Sequence, residues 1–452
     1  MVLYFPGPAS ATGEDVLELH VHGGPAIVKA VLSAIPLSLN EPGAIRPAEP
    51  GEFTRRAFMN DRLDLVQVEA LGDSLSAVTE RQRRIAVRGT TSHLGRVYEG
   101  WRQQLLAARA ELEALIDFSE DQHFSESPAE LIGNAAQQVD TLHAAVMQHV
   151  RNAMRGELLR SGIAVSLLGA PNAGKSSLLN RMVGREAAIV STEAGTTRDV
   201  VEVSVDIGGF LCRFGDTAGL RTPTGLVERE GIRRAKALAA ESDLVIVLLS
   251  FDTDGSLSID EEVRSALSEL VQSDTKVVIC VNKLDQASTL SLSATTAHIR
   301  SMLPDLPPDT IVQYISCLPS FPNDGIQSLL SVLTDEFSAL TSPESSALEQ
   351  DEADSLSATP RQQSLLSECA THLEHFLVRA RPGSSSGLAP SSRMVDGDGE
   401  TDEGDVDFVL AAEHLRAAAG CLARITGRGT GEAGDDVEEV LGVVFAKFCV
   451  GK

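Results

Sequence analysis

One nine-residue stretch restricts what this 452-residue chain can fold into more than any other: GAPNAGKSS, Gly169 to Ser177. It follows a short apolar run, IAVSLLG, and precedes SSLLNRMV, whose apolar residues recur at helical spacing. Gly169, Gly174, Lys175 and Ser176 satisfy GxxxxGK[ST], and strand, loop and helix in that order are the context a phosphate-binding loop requires. Backbone N–H groups from Ala173 to Ser177 and the helix N-terminus then cradle phosphate, Lys175 neutralises it, and the Ser176 hydroxyl can ligate Mg2+. Asn172, inside the loop, has no part in that scheme.

A loop of this kind belongs to an α/β sheet, and the surrounding pattern agrees. From Gly162 to about residue 338, short apolar runs (IAVSLLG, VEVSVDI, FLCRFGD, DLVIVLLS, KVVICVN, TIVQYIS) alternate with helical segments. Before it, residues 61–161 read as helices with apolar residues at three-four spacing: LDLVQVEALGDSLSAV, WRQQLLAARAELEALIDF and AAQQVDTLHAAVMQHVRNAM. After it, residues 339–452 are helical again: RQQSLLSECATHLEHFLVRA, FVLAAEHLRAAAGCLARITG and DDVEEVLGVVFAKF. Residues 341–358 and 383–407 are Ser-rich, Gly-rich and acidic, and are expected to be disordered. Residues 1–60, with a strand-like LELHVHG and a helical AIVKAVLSAI, read as a partial α+β domain. The expected architecture is multidomain, α and α/β: a P-loop domain with a mixed, mostly parallel sheet, inserted in a helical bundle whose halves flank it.

Composition narrows the partners. Lysine plus arginine number 38 against 64 aspartates and glutamates, a net charge of −26, which disfavours tight sequence-independent binding to a polyphosphate backbone. A basic partner is expected if nucleic acid is a substrate. The six cysteines form no CxxC pair, so neither a disulfide framework nor a zinc site is suggested, and a reducing compartment fits. No apolar run reaches the ~18 residues a membrane-spanning helix needs.

The nucleotide is read from three further stretches. Asp216-Thr217-Ala218-Gly219 follows a strand, placing a carboxylate beside the metal and a glycine N–H where a γ-phosphate is sensed. Thr196 and Thr197, in the GTTRD stretch after the P-loop helix, supply a threonine that can close over Mg2+ and the γ-phosphate. Asn282, Lys283 and Asp285 end the strand KVVICV, and a carboxylate there accepts from guanine N1–H and N2–H2, which adenine cannot offer. Ser316 and Cys317, after TIVQYI, would pack on the base. This is a Ras-like G domain. Where Ras-type proteins place a water-orienting glutamine, directly after the DxxG motif, stands Leu220, which cannot do that job. Glu228 and Glu230 lie just downstream, where the bland reading is a solvated helix charge. His20 and His22 could be metal ligands on one strand face, but no third ligand is visible and a turn-supporting role is preferred.

With these motifs in hand, the chain resembles the MnmE/TrmE family of tRNA-modification GTPases along nearly its whole length. FPGP, TGEDVLELHVHGGP, EPGEFTRRAFMNDRLDLVQVEAL, AAIVSTEAGTTRDV, DTAGLR and the terminal FCVGK carry the resemblance. It implies a potassium-activated GTPase that forms a homodimer through its G domains, with the N-domains as a further candidate contact. Asn172, Ser191, Glu193 and Thr196 match the K+ ligands, Ser176 and Thr197 the Mg2+ ligands, and Glu228 the water-orienting glutamate; with Lys175 and Thr197 it makes the expected catalytic set. The family acts with an MnmG-like flavoprotein to modify C5 of the tRNA wobble uridine, using a tetrahydrofolate derivative. Glu18 and Lys452 match that folate site, and Arg62 stands where a lysine is common. The family's N-terminal domain begins upstream of FPGP, so the folate site is expected to be incomplete in this sequence. The acidic insert suggests a eukaryotic, mitochondrial-matrix member. Two other readings stay open: a ribosome-assembly GTPase, which usually carries a basic RNA-binding domain, and a non-catalytic nucleotide-gated scaffold.

Overall fold

A computed structural model describes residues 1–38, 45–91, 93–118, 128–185, 188–191, 203–215, 238–252, 255–273, 275–287, 292–322, 324–343, 354–380 and 407–427. The expected sites at Glu193, Thr196, Thr197, Asp216, Thr217, Ala218, Gly219, Glu228 and Lys452, and the helix DDVEEVLGVVFAKF, lie outside these residues. The chain divides into two compact units, residues 1–76, 84–154 and 343–452 in one and 77–83 with 155–342 in the other.

The second unit is built on a seven-stranded sheet: β3 (Ile163–Gly169), β4 (Ala188–Ser191), β5 (Val203–Ile207), β6 (Phe210–Phe214), β7 (Leu244–Ser250), β8 (Lys276–Asn282) and β9 (Ile311–Tyr314), in the order β4-β5-β6-β3-β7-β8-β9. β3 runs parallel to β6 and β7, β8 runs parallel to β7, and β9 runs parallel to β8. β5 and β6 form an antiparallel hairpin, and β4 adds antiparallel to β5. Gly208 and Gly209 turn that hairpin with φ of 60° and 86°, the two positive values that a two-residue turn of matching twist demands. The sheet is therefore mixed and mostly parallel.

β7 and β8 are buried almost end to end, which is why LVIVLL and VVICV read as unbroken apolar runs rather than alternating ones. On one face α8 (Glu261–Gln272) and α9 (Leu292–Met302) seat Val263, Ala266, Leu267, Leu270 and Ile299 against Val245, Val247, Ile279 and Val281. The rest of the unit includes α7 (Lys175–Arg185), which opens at the end of β3, and α10 (Ile326–Thr341), whose Phe337 meets Phe210 edge-on at 5.6 Å. The guanidinium of Arg81 lies 3.8 Å from the centre of the Phe210 ring.

The first unit opens with the antiparallel pair β1 (Val2–Phe5) and β2 (Val16–Leu19), followed by α1 (Pro25–Ala34) and α2 (Glu52–Met59). Its core is a bundle in which α5 (His93–Phe118), α6 (Pro128–Ser161), α11 (Pro360–Ala380) and α12 (Phe408–Thr426) bury one stripe each, joined by Val66 of α3 (Leu65–Ser76); the helix α4 (Glu80–Gly89) precedes α5. Leu94, Tyr98, Leu105 and Leu112 of α5 meet Val139, Val146, Leu366, Leu373, Phe376, Leu415 and Leu422 in that core. No helix among the described residues is long and apolar enough to cross a membrane.

Three features depart from expectation. β4 and α4 carry too short or too polar a pattern to be read from periodicity. α5 and α6 run well beyond the stretches whose spacing announces them. The segment 354–358, expected to be disordered, is buried. Its polar side chains find partners inside the unit: Asn152 Nδ2 donates to Ser355 Oγ at 3.0 Å, Ser357 Oγ donates to the Asp354 carbonyl at 2.6 Å, and the Asp354 carboxylate lies 3.2 Å from His93 Nδ1. Likewise Asp407, at the end of the acidic stretch, caps α12 by accepting from Leu410 N–H at 2.9 Å.

Candidate functional site

Because β3, β7, β8 and β9 are parallel, the loops that leave them emerge at one edge of the sheet, where ligands of open α/β folds sit. The loop after β3 turns at Asn172, whose φ of 62° is one that asparagine tolerates better than most residues. Gly174 follows at φ 102°, and a Cβ there would strike Asn282 Nδ2. Lys175 opens α7, and its Nζ donates to the carbonyls of Gly169 at 2.7 Å and Ala170 at 3.0 Å. Burial pulls the Lys175 ammonium below the ordinary lysine range, so a phosphate that replaces these carbonyls meets a partly desolvated cation.

Asn282 ends β8 at 2% exposure and joins two loops. Its Nδ2 donates to the Ala173 carbonyl at 2.8 Å, and its Oδ1 accepts from Cys317 N–H at 3.3 Å. Lys283 turns with φ 60°, and Asp285 follows in a short 3-10 turn over Leu284–Gln286. Asp285 Oδ1 accepts from Ser316 Oγ at 2.5 Å, and the same hydroxyl accepts from Leu318 N–H at 3.3 Å. The Ser316-Cys317 dipeptide, weak as a sequence signal, is thus bonded to both Asn282 and Asp285. Burial pushes the Cys317 thiol up to about 11 against the pull of nearby Arg181.

Arg181 and Asp324 were not legible as site residues. Arg181 Nη2 meets Asp324 Oδ2 at 2.6 Å, and the Asp324 carbonyl accepts from Ser316 N–H at 2.9 Å, so an ion pair from α7 braces the base loop. Neither residue lies in a motif, and only a fold brings them together. Ser191 ends β4 opposite Ser204. In the other unit Glu18 and Arg62 are exposed; Glu18 Oε2 sits 3.0 Å from His20 Nε2, and among the described residues no ion pair joins Glu18 to Arg62.

The sequence matches the pattern described as the MnmE helical domain over residues 65–449 and that described as the GTP-binding protein TrmE N-terminus over residues 1–62. The chain belongs to the MnmE/TrmE family. Among curated relatives, the tRNA modification GTPase MnmE of Parvibaculum lavamentivorans is 40% identical across 100% of this chain and 86% of its own length. The mitochondrial 5-taurinomethyluridine-[tRNA] synthase subunit GTPB3 of Homo sapiens is 38% identical across 100% of this chain and 81% of its own. Among solved structures, the G domain of the T. maritima FeoB iron transporter overlaps 40% of this chain and 99% of that one at 21% identity, with a TM-score of 0.27. That overlap is too loose to add to the family assignment.

Proposed function

We propose that this MnmE/TrmE GTPase hydrolyses GTP as a potassium-activated, G-domain-dimerising component of wobble-uridine modification in tRNA. The observation that carries the nucleotide reading is the chain of contacts from Ala173 through Asn282 to Cys317, with the Asp285–Ser316 bond beside it and Lys175 on the same loop, along one edge of the sheet. Lys175 would give up its two loop carbonyls to hold the phosphates. Asp285, fixed by Ser316, would accept from guanine N1–H and N2–H2, rejecting adenine, which presents an acceptor at N1. Glu228 is the proposed water-orienting group in place of Leu220.

The donor set suits hard cations. Ser176, with Thr197, offers hydroxyl oxygens to Mg2+, and Asn172, Ser191, Glu193 and Thr196 offer oxygens to K+. Asn172 is exposed on a left-handed turn, so its amide is free of the sheet core. Such cations stabilise negative charge that builds on the β- and γ-phosphates. Glu18, Arg62 and Lys452 are the proposed contacts for a tetrahydrofolate derivative.

The human relative is named for 5-taurinomethyluridine, a uridine substituted at C5. That supports C5 of uridine as the target here; an MnmG-like flavoprotein is the proposed partner. The net charge of −26 leaves the grip on tRNA to that partner. Relatives named mitochondrial in human and zebrafish support a mitochondrial-matrix location. The test is GTP turnover by the full chain in KCl and in NaCl at equal ionic strength. A several-fold higher rate in KCl is expected, and equal rates would remove K+ activation from the proposal while leaving GTP hydrolysis standing.

A further inference from the structure

Helices α11 and α12 run antiparallel: Arg361 meets the carbonyls of Arg424 and Ile425, Glu368 meets Arg424, and His372 meets His414. Spacings of four and three put Glu368, His372 and His375 on one face of α11, and a spacing of seven puts His414 and Cys421 on one face of α12. One nitrogen from each of His372, His375 and His414 lies within 4.8 Å of the others. Nδ1 of His372 and Nδ1 of His414 are 3.5 Å apart, and the His375 and His414 ring centres are 5.2 Å apart. His414 Nε2, the other nitrogen of that ring, is shielded from solvent and has no hydrogen-bond partner among the described residues.

A proton shared between the two rings would make a long hydrogen bond, since N–H donors favour heavy-atom separations of roughly 2.9 to 3.0 Å. An ion explains the spacing better. With metal–nitrogen bonds of about 2.0–2.1 Å, two imidazoles on a tetrahedral centre stand about 3.3 Å apart, close to the separation observed. Imidazole suits Zn2+, Cu2+ and Ni2+, and the exposed ring of His375 is free to swing in. We propose that His372, His375 and His414 form a three-imidazole site for a divalent transition-metal ion of the Zn2+ class, which ties α11 to α12 across residues 381–406.

The setting favours a neutral, ligand-ready His414 ring. Burial lowers the His414 pKa, and Arg379, His375 and His372 lower it further, with only Glu413 opposing. A competing set, Glu368, His372 and Cys421, shares one histidine. It is less ready: Glu368 Oε1 is held by Arg424 at 2.7 Å, and burial pushes the Cys421 thiol up to about 11.

The test is a ZnCl2 titration of the full, nucleotide-free chain against a chromophoric chelator, with a thermal melt at each point. One equivalent bound with micromolar or tighter affinity, and a rise in melting temperature, is the expected result. His375→Ala, an exposed position, should weaken binding by at least about tenfold with an unchanged circular-dichroism spectrum. Cys421→Ser should leave affinity within about twofold. Three results would overturn the site: no stoichiometric binding, binding indifferent to His375→Ala, or binding lost in Cys421→Ser.

Discussion

Both units bury polar side chains, but to different ends. In the α/β unit Asn282, Ser316 and Asp324 are buried where strands stop, and they hold loops against each other. In the helical unit Glu69 accepts from Arg361 Nε at 2.6 Å and from Thr359 Oγ1 at 3.1 Å, and Arg361 reaches on to the last carbonyls of α12. These contacts join helices about 290 residues apart in sequence. In these two sets buried polarity positions loops at the sheet edge and joins helices in the bundle.

This contrast breaks if the two kinds of residue respond alike. The largest effect is expected at Lys175→Ala, which should lower GTP turnover about a thousandfold with an unchanged urea midpoint, read by phosphate release and denaturation together. A collapsed midpoint would make Lys175 a fold residue. Next comes Glu69→Ala, which strands Arg361 and should cost about 3 kcal/mol in urea unfolding, while GTP affinity per folded molecule stays unchanged.

Asp285→Asn probes the loop rather than the fold. It should weaken GTP binding by about 5- to 150-fold and favour xanthosine triphosphate, whose C2 carbonyl can accept from the new amide. Competition between the two nucleotides reads this directly, and an undiminished preference for guanine would move base selection elsewhere.

Asn172 sharpens the comparison further, because its φ of 62° gives a second reason for asparagine there. Alanine at that turn costs ~1–2 kcal/mol of backbone strain, whereas glycine adopts it freely. If the amide ligates K+, Asn172→Gly and Asn172→Ala both lose K+ stimulation. Retention in the glycine variant alone would assign Asn172 to the turn.

The smallest effect is a pH dependence at Cys317. An ordinary thiol ionises near 9.0 and this one near 11, so between those values the unfolded chain has released a proton that the folded chain keeps. Stability then falls as pH rises through that window. Alkylation of Cys317 should also stay slow until pH approaches 11, and fast reaction at pH 8 would contradict its burial.

The sheet was legible where chemistry forced a pattern. LVIVLL and VVICV are short, β-branched runs that suit strands covered on both faces, and GAPNAGKSS needs a strand before it and a helix after it. The segment 354–358 reads as disordered because serine and aspartate suggest solvent, yet Ser355 bonds Asn152 and Asp354 pairs with His93 inside the unit. Asp285 is proposed from guanine chemistry, and what the structure adds is its bond to Ser316. Arg181 and Asp324 could not be named from the sequence, since their link spans 143 residues and matches no motif.

Asn282 has a consequence for anyone redesigning this nucleotide site. One amide grips the phosphate loop with its nitrogen and the base loop with its oxygen, so the two settings share a single control. Selectivity loosened by changing Asn282 would come with a loosened hold on the phosphates. A chain retuned for another base keeps Asn282 and is rewritten at Asp285 and Ser316.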